Sequence, residues 1–384
     1  MVHKEGVTLR LTLPFTDDRE IEEIKKVLLS GYLTQGPKTE EFEQLVAQLV
    51  GCKYAFATSS CTTALHLSLV ALGIGPGDEV LVADFTFPAT ANVVVQQGAT
   101  PVLVDIDLDT FTMNIADMGA KITEKTKAII PVHAFGCSAD MNPIIETANK
   151  FNIPIIEDAA CAIGTTYHGT YCGNLGTMGC FSFHPRKVIT TGEGGMITTS
   201  NEELAEKIQV LRSHGGIREG YWFRYVDAGF NYRLSDIHAA IGIAQMEKLE
   251  IIIKRKRELA SMLKDLLSDI PEIILPKEPS WSGHIYQSFI IMVSDKVNRD
   301  GVITDLRLKN IETTLGTYAL HDQPFFQNKF GYTSGQLSNS HFSFVRSITL
   351  PLYPQMNEAE LKILSSELRR AVLKNHYTSS KRRR

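Results

Sequence analysis

Residues 181–195, FSFHPRKVITTGEGG, set one lysine, Lys187, between an apolar, aromatic-rich stretch and a glycine-studded turn. A lysine amine is a nucleophile only when part of it is neutral, and an apolar, desolvated setting lowers its pKa toward that state. Three further segments could serve the same chemistry. IIEDAACAIG delivers Glu157 and Asp158 at the end of a strand of Ile153, Ile155 and Ile156, and ligands of open α/β sheets gather at carboxyl ends of strands. The aspartate could instead cap the following helix. SSCTTAL, residues 59–65, puts hydroxyls on a turn that opens a helix, where unpaired N–H groups and the positive end of the dipole suit a phosphate, although an ordinary N-cap looks similar. DFTFPAT, residues 84–90, ends a strand in Phe85 and Phe87, aromatics that could stack on a flat heterocycle or pack in the core.

Taken together, an amine, an acid, a phosphate-binding turn and an aromatic platform are the equipment for pyridoxal 5'-phosphate. A lysine forms the Schiff base with that cofactor, an aspartate pairs with its pyridinium nitrogen and sustains the electron sink, and donors hold its phosphate. No metal is required, and no His/Cys spacing of a zinc site occurs.

Those segments need a scaffold that brings strand ends to one place. TDDREIEEIKKVLLS, residues 16–30, has apolar residues at helical spacing after a Thr/Asp start, with Gly31 as a stop. GYLTQGPK is a loop and TEEFEQLVAQLVG a second helix. Strand, turn and helix then recur: YAFATSS before TTALHLSLVALG, DEVLVADFTF before PATANVVVQQG, TPVLVDID, KTKAIIPVHAFG before a helix through Ile144 to Lys150, and IPIIEDA. Short Val/Ile-rich strands separated by amphipathic helices predict an α/β domain with a mostly parallel sheet covered on both faces. The loop SHGGIREGYWFRYVDAGFNYR, residues 213–233, is too aromatic for disorder and is expected at an interface or a site. Ser235 or Asp236 caps one long helix, DIHAAIGIAQMEKLEIIIKRKRELASMLKDLL. YQSFIIMV, an ETTLG turn and NEAELKILSSELRRAVLK then suggest a smaller α+β domain. The expected division is 1–250 for the large domain and 251–384 for the small C-terminal one.

The chain has 384 residues, 43% of them hydrophobic, enough for a sizeable core. A formal net charge of -4 offers no electrostatic footprint for nucleic acid or membrane surfaces. The apolar runs fall short of the roughly 18 residues a membrane span needs. MVHKEGVTLRLTLPF lacks the apolar core of a secretory signal, and the alternation of Val7, Leu9, Leu11 and Leu13 reads as an extended segment. A cytoplasmic protein with small-molecule partners is the expectation. The six cysteines, at 52, 61, 137, 161, 172 and 180, include no CxxC pair and read as reduced thiols. The closing SSKRRR reads as a solvated, disordered end.

Nearly the whole chain resembles the DegT/StrS sugar aminotransferases, fold type I pyridoxal phosphate enzymes that aminate keto sugars carried on nucleotides. The likeness runs from GYLTQGPKTEEFE through SSCTTALHLSL, DFTFPATAN, IPVHAFG, IEDAACAIG, CFSFHPRKVITTGEGG and NYRLSDIHAAIG to YQSFIIMV and GTYALHDQPFF. It implies that Lys187 carries the internal aldimine and moves a proton between cofactor and substrate carbons, that Asp158 pairs with the pyridine nitrogen, and that Phe87 stacks on the ring. Cys61 and Thr62 lie where the family's Gly-Thr pair binds phosphate, and Ser182 is similar to its serine phosphate ligand. Asn231 resembles an asparagine that reaches the phosphate from the neighbouring subunit, which implies a homodimer with shared active sites. Ser182 and Asn231 could also merely bond local backbone.

Two residues depart from the family pattern. Cys61 replaces a usual glycine, so a need for positive φ there would mean strain. Cys161 stands where glutamine, glutamate or histidine commonly approaches the cofactor's phenolic oxygen, and a thiol is a weak donor. For the substrate, His184, His214, Arg218, Tyr221, Arg224, Tyr318 and His321 are candidate contacts to sugar or diphosphate. GTYALHDQPFF is similar to this segment in perosamine-synthase-like members, which act on a 4-keto sugar, and the implied amino donor is glutamate. The rival readings are another fold type I reaction, dehydration or aminodehydroxylation, and a non-catalytic sugar- or cofactor-sensing protein. Some relatives carry histidine in place of the lysine and act as dehydratases, so Lys187 argues against dehydration of that kind, and an intact Lys187 and Asp158 argue against the sensing reading.

Overall fold

The recurring strand–turn–helix segments become neighbouring strands of one layer. The computed structural model describes residues 9–377. Its central strands are β1 (Tyr54–Thr58), β2 (Glu79–Ala83), β3 (Thr100–Val104), β4 (Thr126–Ile130), β5 (Ile156–Asp158), β6 (Met178–Ser182) and β7 (Gly195–Thr199). They lie in the order β1-β7-β6-β5-β4-β2-β3, with β4 joined to β5 through bridges from Ile129 to Ile155 and from Val132 to Asp158. β2 runs parallel to β3 and β4, and β5 parallel to β6, whereas β7 is antiparallel to both its neighbours. The sheet is mostly parallel, as the strand pattern predicts. Because β7 is reversed, its first residue lies at the edge where the other strands end: Gly195 pairs with both Thr58 and Ser182.

Helices cover both faces: α1 (Asp18–Ser30), α2 (Pro37–Val50), α3 (Cys61–Ala71), α4 (Ala89–Gln96), α5 (Met141–Phe151), α6 (Glu202–Arg212), α7 (Asp236–Met246) and α8 (Leu249–Leu267). Alternation along β1 shows why both are needed. Phe56 packs with Leu65 and Leu69 of α3 and Ile208 of α6, while Ala55 and Ala57 pack with Phe42 of α2 and Ala239 of α7.

Helix α1 starts and stops where its sequence says, with an Asp17–Glu20 capping box and Gly31 at φ 77°. Of the two candidate caps at 235–236, Ser235 caps α7. Asp236 instead accepts hydrogen bonds from the N–H groups of Gly36, Lys38 and Thr39 and from Thr39 Oγ1, closing the start of α2. The single long helix expected from residue 236 to 267 is two. Lys248 N donates to Gln245 O in a tight turn, and the Lys248 amine is fully buried against Glu20. Residues 213–233 contain an exposed hairpin of β8 (Gly216–Glu219) and β9 (Trp222–Tyr225).

Helix α8 serves two cores. Leu249 and Ile252 pack beside α2 and α7, whereas Leu259, Leu263 and Leu267 join Phe289, Ile348 and Leu361 in a second cluster. That cluster is built on an antiparallel sheet of β10 (Ile273–Ile274), β11 (Phe289–Val293) and β12 (Ser347–Leu350), backed by the helix Glu358–Lys374. Leu9 enters it through a bridge to Ile311. Val7 of the expected extended segment and the closing SSKRRR lie outside the described residues. Among the described residues no helix is long and apolar enough to cross a membrane.

Lys256 of α8 is buried, its Nζ donating to Leu352 O at 2.8 Å, and burial pushes its pKa down to about 7 from an ordinary 10.5. Between those values the unfolded chain holds a proton that the folded one lacks, so stability rises with pH across that window and is flat below it. Lys256→Met should remove the rise and stabilise the protein at neutral pH, by at most about 5 kcal/mol. Denaturant unfolding of both proteins at the two ends of the window checks this.

Candidate active site

The shared sheet edge opens into a cavity of about 480 Å³, whose wall includes Cys61, Thr62, Phe87, Asp158, Cys161, Ser182, His184 and Lys187. Strand alternation splits the Glu157–Asp158 pair. Glu157 points into the protein and is fully buried, accepting from the N–H groups of Gly173, Leu175 and Gly176 at 2.7 Å each and lying 2.8 Å from His133 Nε2. Asp158 reaches the cavity. Its Oδ2 accepts from Thr90 Oγ1 at 2.8 Å and its Oδ1 from Ala160 N at 3.1 Å; residues 159–164 form turns and no helix, so the helix-cap alternative falls and the carboxylate holds a turn at the cavity instead.

The two aromatics of DFTFPAT also part. Phe85 is core, its ring 5.7 Å from Phe111 and 6.2 Å from Phe135. Phe87 is 66% exposed on the cavity wall, so core packing does not claim it.

Ser60 caps α3, its Oγ accepting from Thr63 N at 3.1 Å. The leading N–H groups of a helix have no acceptor within it, and here they belong to Cys61 and Thr62. Cys61 is the first residue of α3 and is not among the non-glycine residues with positive φ, so the glycine-to-cysteine departure brings no backbone strain. Its Sγ turns inward, 3.6 Å from Cys180 O, and burial drives its pKa well above the ordinary thiol value. The glycine this turn does require is Gly195. A Cβ there would lie 2.4 Å from the Ser60 carbonyl, so the last residue of TTGEGG lets β7 run against the entry to α3.

Lys187 follows β6, its N–H donating to His184 O at 2.8 Å and its Nζ donating to Cys161 Sγ at 3.1 Å. Burial pulls its pKa down, as the apolar setting predicts, but Cys161, Cys61 and Asp158 together raise it more. The expected lowering is therefore not found, because ionisable neighbours stabilise the ammonium. Burial also pulls His184 down; Glu193 partly offsets this, while Lys187 and Arg186 add to it, and the imidazole stays below its ordinary value. Ser182, at the end of β6, accepts from His184 N at 3.4 Å.

The remaining candidates do not line this cavity. Arg218, Tyr221 and Arg224 stand on the β8–β9 hairpin, with Tyr221 99% exposed and Arg224 paired to Glu219 at 2.6 Å. Asn231 is exposed and bridged to Ser213. His214 is exposed, and its N–H donates to Phe230 O at 2.7 Å. Tyr318 is partly buried in a short strand pair with Thr86. His321 departs from the expected substrate contact. It is fully buried, its Nδ1 2.6 Å from Asp84 Oδ2 and its N–H donating to Asp84 Oδ1 at 2.8 Å, and so it ties the Phe85–Phe87 segment to residues 318–322.

Thr90, Arg186, Glu193 and Gln287 also belong to the wall. A signal exists for three of them. Thr90 lies one helical turn beyond Phe87, and Arg186 and Glu193 flank Lys187 in its own segment. Gln287, whose Nε2 donates to Arg186 O at 2.7 Å, comes from the distant YQSFIIMV segment, where only the family likeness marks it.

A profile of the DegT/DnrJ/EryC1/StrS aminotransferase family matches residues 14–369. The chain is 41% identical over 374 residues to the uncharacterized protein MJ1066 of Methanocaldococcus jannaschii, covering 94% of this chain and 97% of that one. It is 38% identical over 374 residues to the spore coat polysaccharide biosynthesis protein SpsC of Bacillus subtilis, covering 94% and 96%. Among solved structures it is similar to Spr1654 of Streptococcus pneumoniae. The PMP form gives a TM-score of 0.91 at 27% identity over 96% of this chain and 100% of that one, and the PLP form 0.90 at 28% over 95% and 98%. With its large, mostly parallel sheet, its smaller α+β unit and a lysine and an aspartate meeting at the strand ends, this fold type I chain belongs to the DegT/DnrJ/EryC1/StrS aminotransferase family.

Proposed function

We propose that the protein is a pyridoxal 5'-phosphate-dependent aminotransferase that moves the amino group of glutamate to a keto-deoxysugar carried on a nucleotide, with a 4-keto sugar favoured. One observation carries this reading: Lys187 and an Asp158 carboxylate held by Thr90 share one cavity with the start of α3. The donor set fits the cofactor. It offers a primary amine for the aldehyde, a carboxylate for the ring nitrogen, the exposed ring of Phe87 for its face, and N–H groups and hydroxyls of Cys61, Thr62 and Ser182 for its phosphate. The PLP and PMP forms of Spr1654 support the cofactor, and the polysaccharide role in the name of SpsC supports a sugar.

When bound, the cofactor supplies an electron sink that acidifies the bond to be broken. Asp158 holds a proton at the ring nitrogen, and Thr90 and Ala160 keep its two oxygens from rotating away. Lys187 Nζ, as a free amine, takes a proton from one carbon and returns it to another. Cys161 Sγ, 3.1 Å away, holds that amine in the cavity. With the division at residue 250, the larger part would bind the cofactor, and Thr314, Thr349 and Leu352 of the smaller part line the same cavity. Asn231 and the β8–β9 hairpin reach no part of their own chain's cavity, which fits a homodimer in which each copy completes the other's site with Asn231, Arg218, Tyr221 and Arg224. His184 serves the substrate from within the cavity. Six free thiols fit work in the cytoplasm.

Borohydride reduction of the cofactor-loaded protein should fix the cofactor on the peptide that contains Lys187. Lys187→Ala should lose that adduct, and its turnover with glutamate should fall by ~10²–10⁴-fold. Asp158→Asn should retain cofactor, measured by its absorption after gel filtration, yet turn over roughly 10²-fold more slowly for want of the anionic partner. Glutamate added to the loaded wild-type protein should convert the cofactor to its amino form. An unchanged spectrum would reject glutamate as the donor.

A further inference from the structure

The amine of Lys187 touches an oxidisable atom, with Nζ 3.1 Å from Cys161 Sγ. Both side chains line the cavity and both are only partly buried, so a small oxidant entering from solvent reaches the sulfur. Cys61 shares the wall, but its Sγ is turned inward, 3.6 Å from Cys180 O, and burial keeps it a thiol. Cys137, Cys172 and Cys180 are buried and Cys52 lies away from the cavity.

We propose that Cys161 and Lys187 form a reversible redox lock, in which a peroxide oxidises the thiol and the lysine amine then closes a covalent sulfur–nitrogen bond. In the first step the sulfur gives two electrons to the peroxide, the O–O bond breaks, one oxygen stays on sulfur as a sulfenic acid, and the other leaves as water. In the second, the nitrogen lone pair displaces the sulfur's hydroxyl. The S–N bond forms as the S–O bond breaks, and the hydroxyl departs as water with a proton from the amine. A thiol reverses the lock by attacking sulfur: the S–N bond breaks, nitrogen takes the thiol's proton, and a second thiol frees Cys161 as the disulfide of the two attacking thiols.

The contact distance means that closure needs side-chain adjustment only. The timing of the lock rests on the function proposed above. Lys187 joined to the cofactor as an imine would have no N–H to give up as the S–N bond forms, whereas Lys187 as a free amine has one. The cross-link itself rests on the contact alone.

The test takes the cofactor-loaded protein, treats one half with glutamate, exposes both halves to hydrogen peroxide and maps the peptides by mass spectrometry. The expected result is a joined pair of peptides containing Cys161 and Lys187, lighter by two hydrogens than their sum and several-fold more abundant in the glutamate-treated half. Dithiothreitol should separate the pair and restore activity together. Cys161→Ser should yield no joined pair, while Cys61→Ser should still yield it. Sulfinic or sulfonic acid on Cys161 beside a free Lys187 would overturn the proposal, as would a Cys61–Cys161 disulfide or a joined pair that retains an oxygen. Joined peptides in equal amounts in both halves would keep the cross-link and reject the assigned role of Lys187 in holding the cofactor.

Discussion

Glu157 carries a carboxylate to a fully buried position in the middle of the sheet, where three backbone N–H groups and the His133 imidazole meet it. An uncompensated charge there would cost several kcal/mol, so the donors and the carboxylate hold each other in place. They come from the loop at 173–176 and from the residues after β4, which ties β5 to both neighbours. A strand repeats every second residue, so a one-residue slip would turn Glu157 toward the cavity and bury Asp158 in its stead. The position of Asp158, and with it the Thr90 contact and the orientation of the α4 entry, depends on that buried carboxylate.

A second tie works from the other side of the cavity. The buried Asp84–His321 pair holds the segment that presents Phe87 against residues 318–322, while Phe85 between them anchors in an aromatic cluster. The platform is thus exposed at its tip and fixed at its root. Lys187 completes the picture as a cation whose desolvation is offset by ionisable neighbours. Its neighbours raise its pKa by more than burial lowers it.

What could be read along the chain was whatever is local. The helix period and capping residues of 16–31, the apolar strands that end in Asp158 and Phe87, and the hydroxylic turn before α3 all show within a dozen residues, and the family likeness gathers them. Pairings across the fold leave no such trace. Asp236 caps a helix two hundred positions earlier, Lys248 interrupts an otherwise continuous helical pattern because Glu20 receives it, and His321 reads as a polar loop residue until Asp84 is found beside it. Gly195 is the intermediate case: TTGEGG marks a turn, but only the approach of Ser60 tells which glycine is indispensable.

The β8–β9 hairpin poses the last structural question. A two-stranded hairpin alone is marginal in water, and this one leaves Tyr221, Trp222, Phe223 and Tyr225 half to fully exposed while packing little against its own chain. An aromatic patch of that kind marks a surface that something covers. Alternation along the pair places Arg218 with Phe223 and Tyr225 on one face and Arg224, paired to Glu219, with Trp222 on the other, so a surface that covers the first face receives one guanidinium beside two rings. Among the described residues the cavity gathers an amine, a carboxylate and a helix N-terminus but a single arginine, Arg186, so the hairpin's guanidinium groups stand apart from their own chain's cavity. Covering the first face would remove Phe223 and Tyr225 from water, which is what an exposed pair of stacked rings on a marginal hairpin calls for.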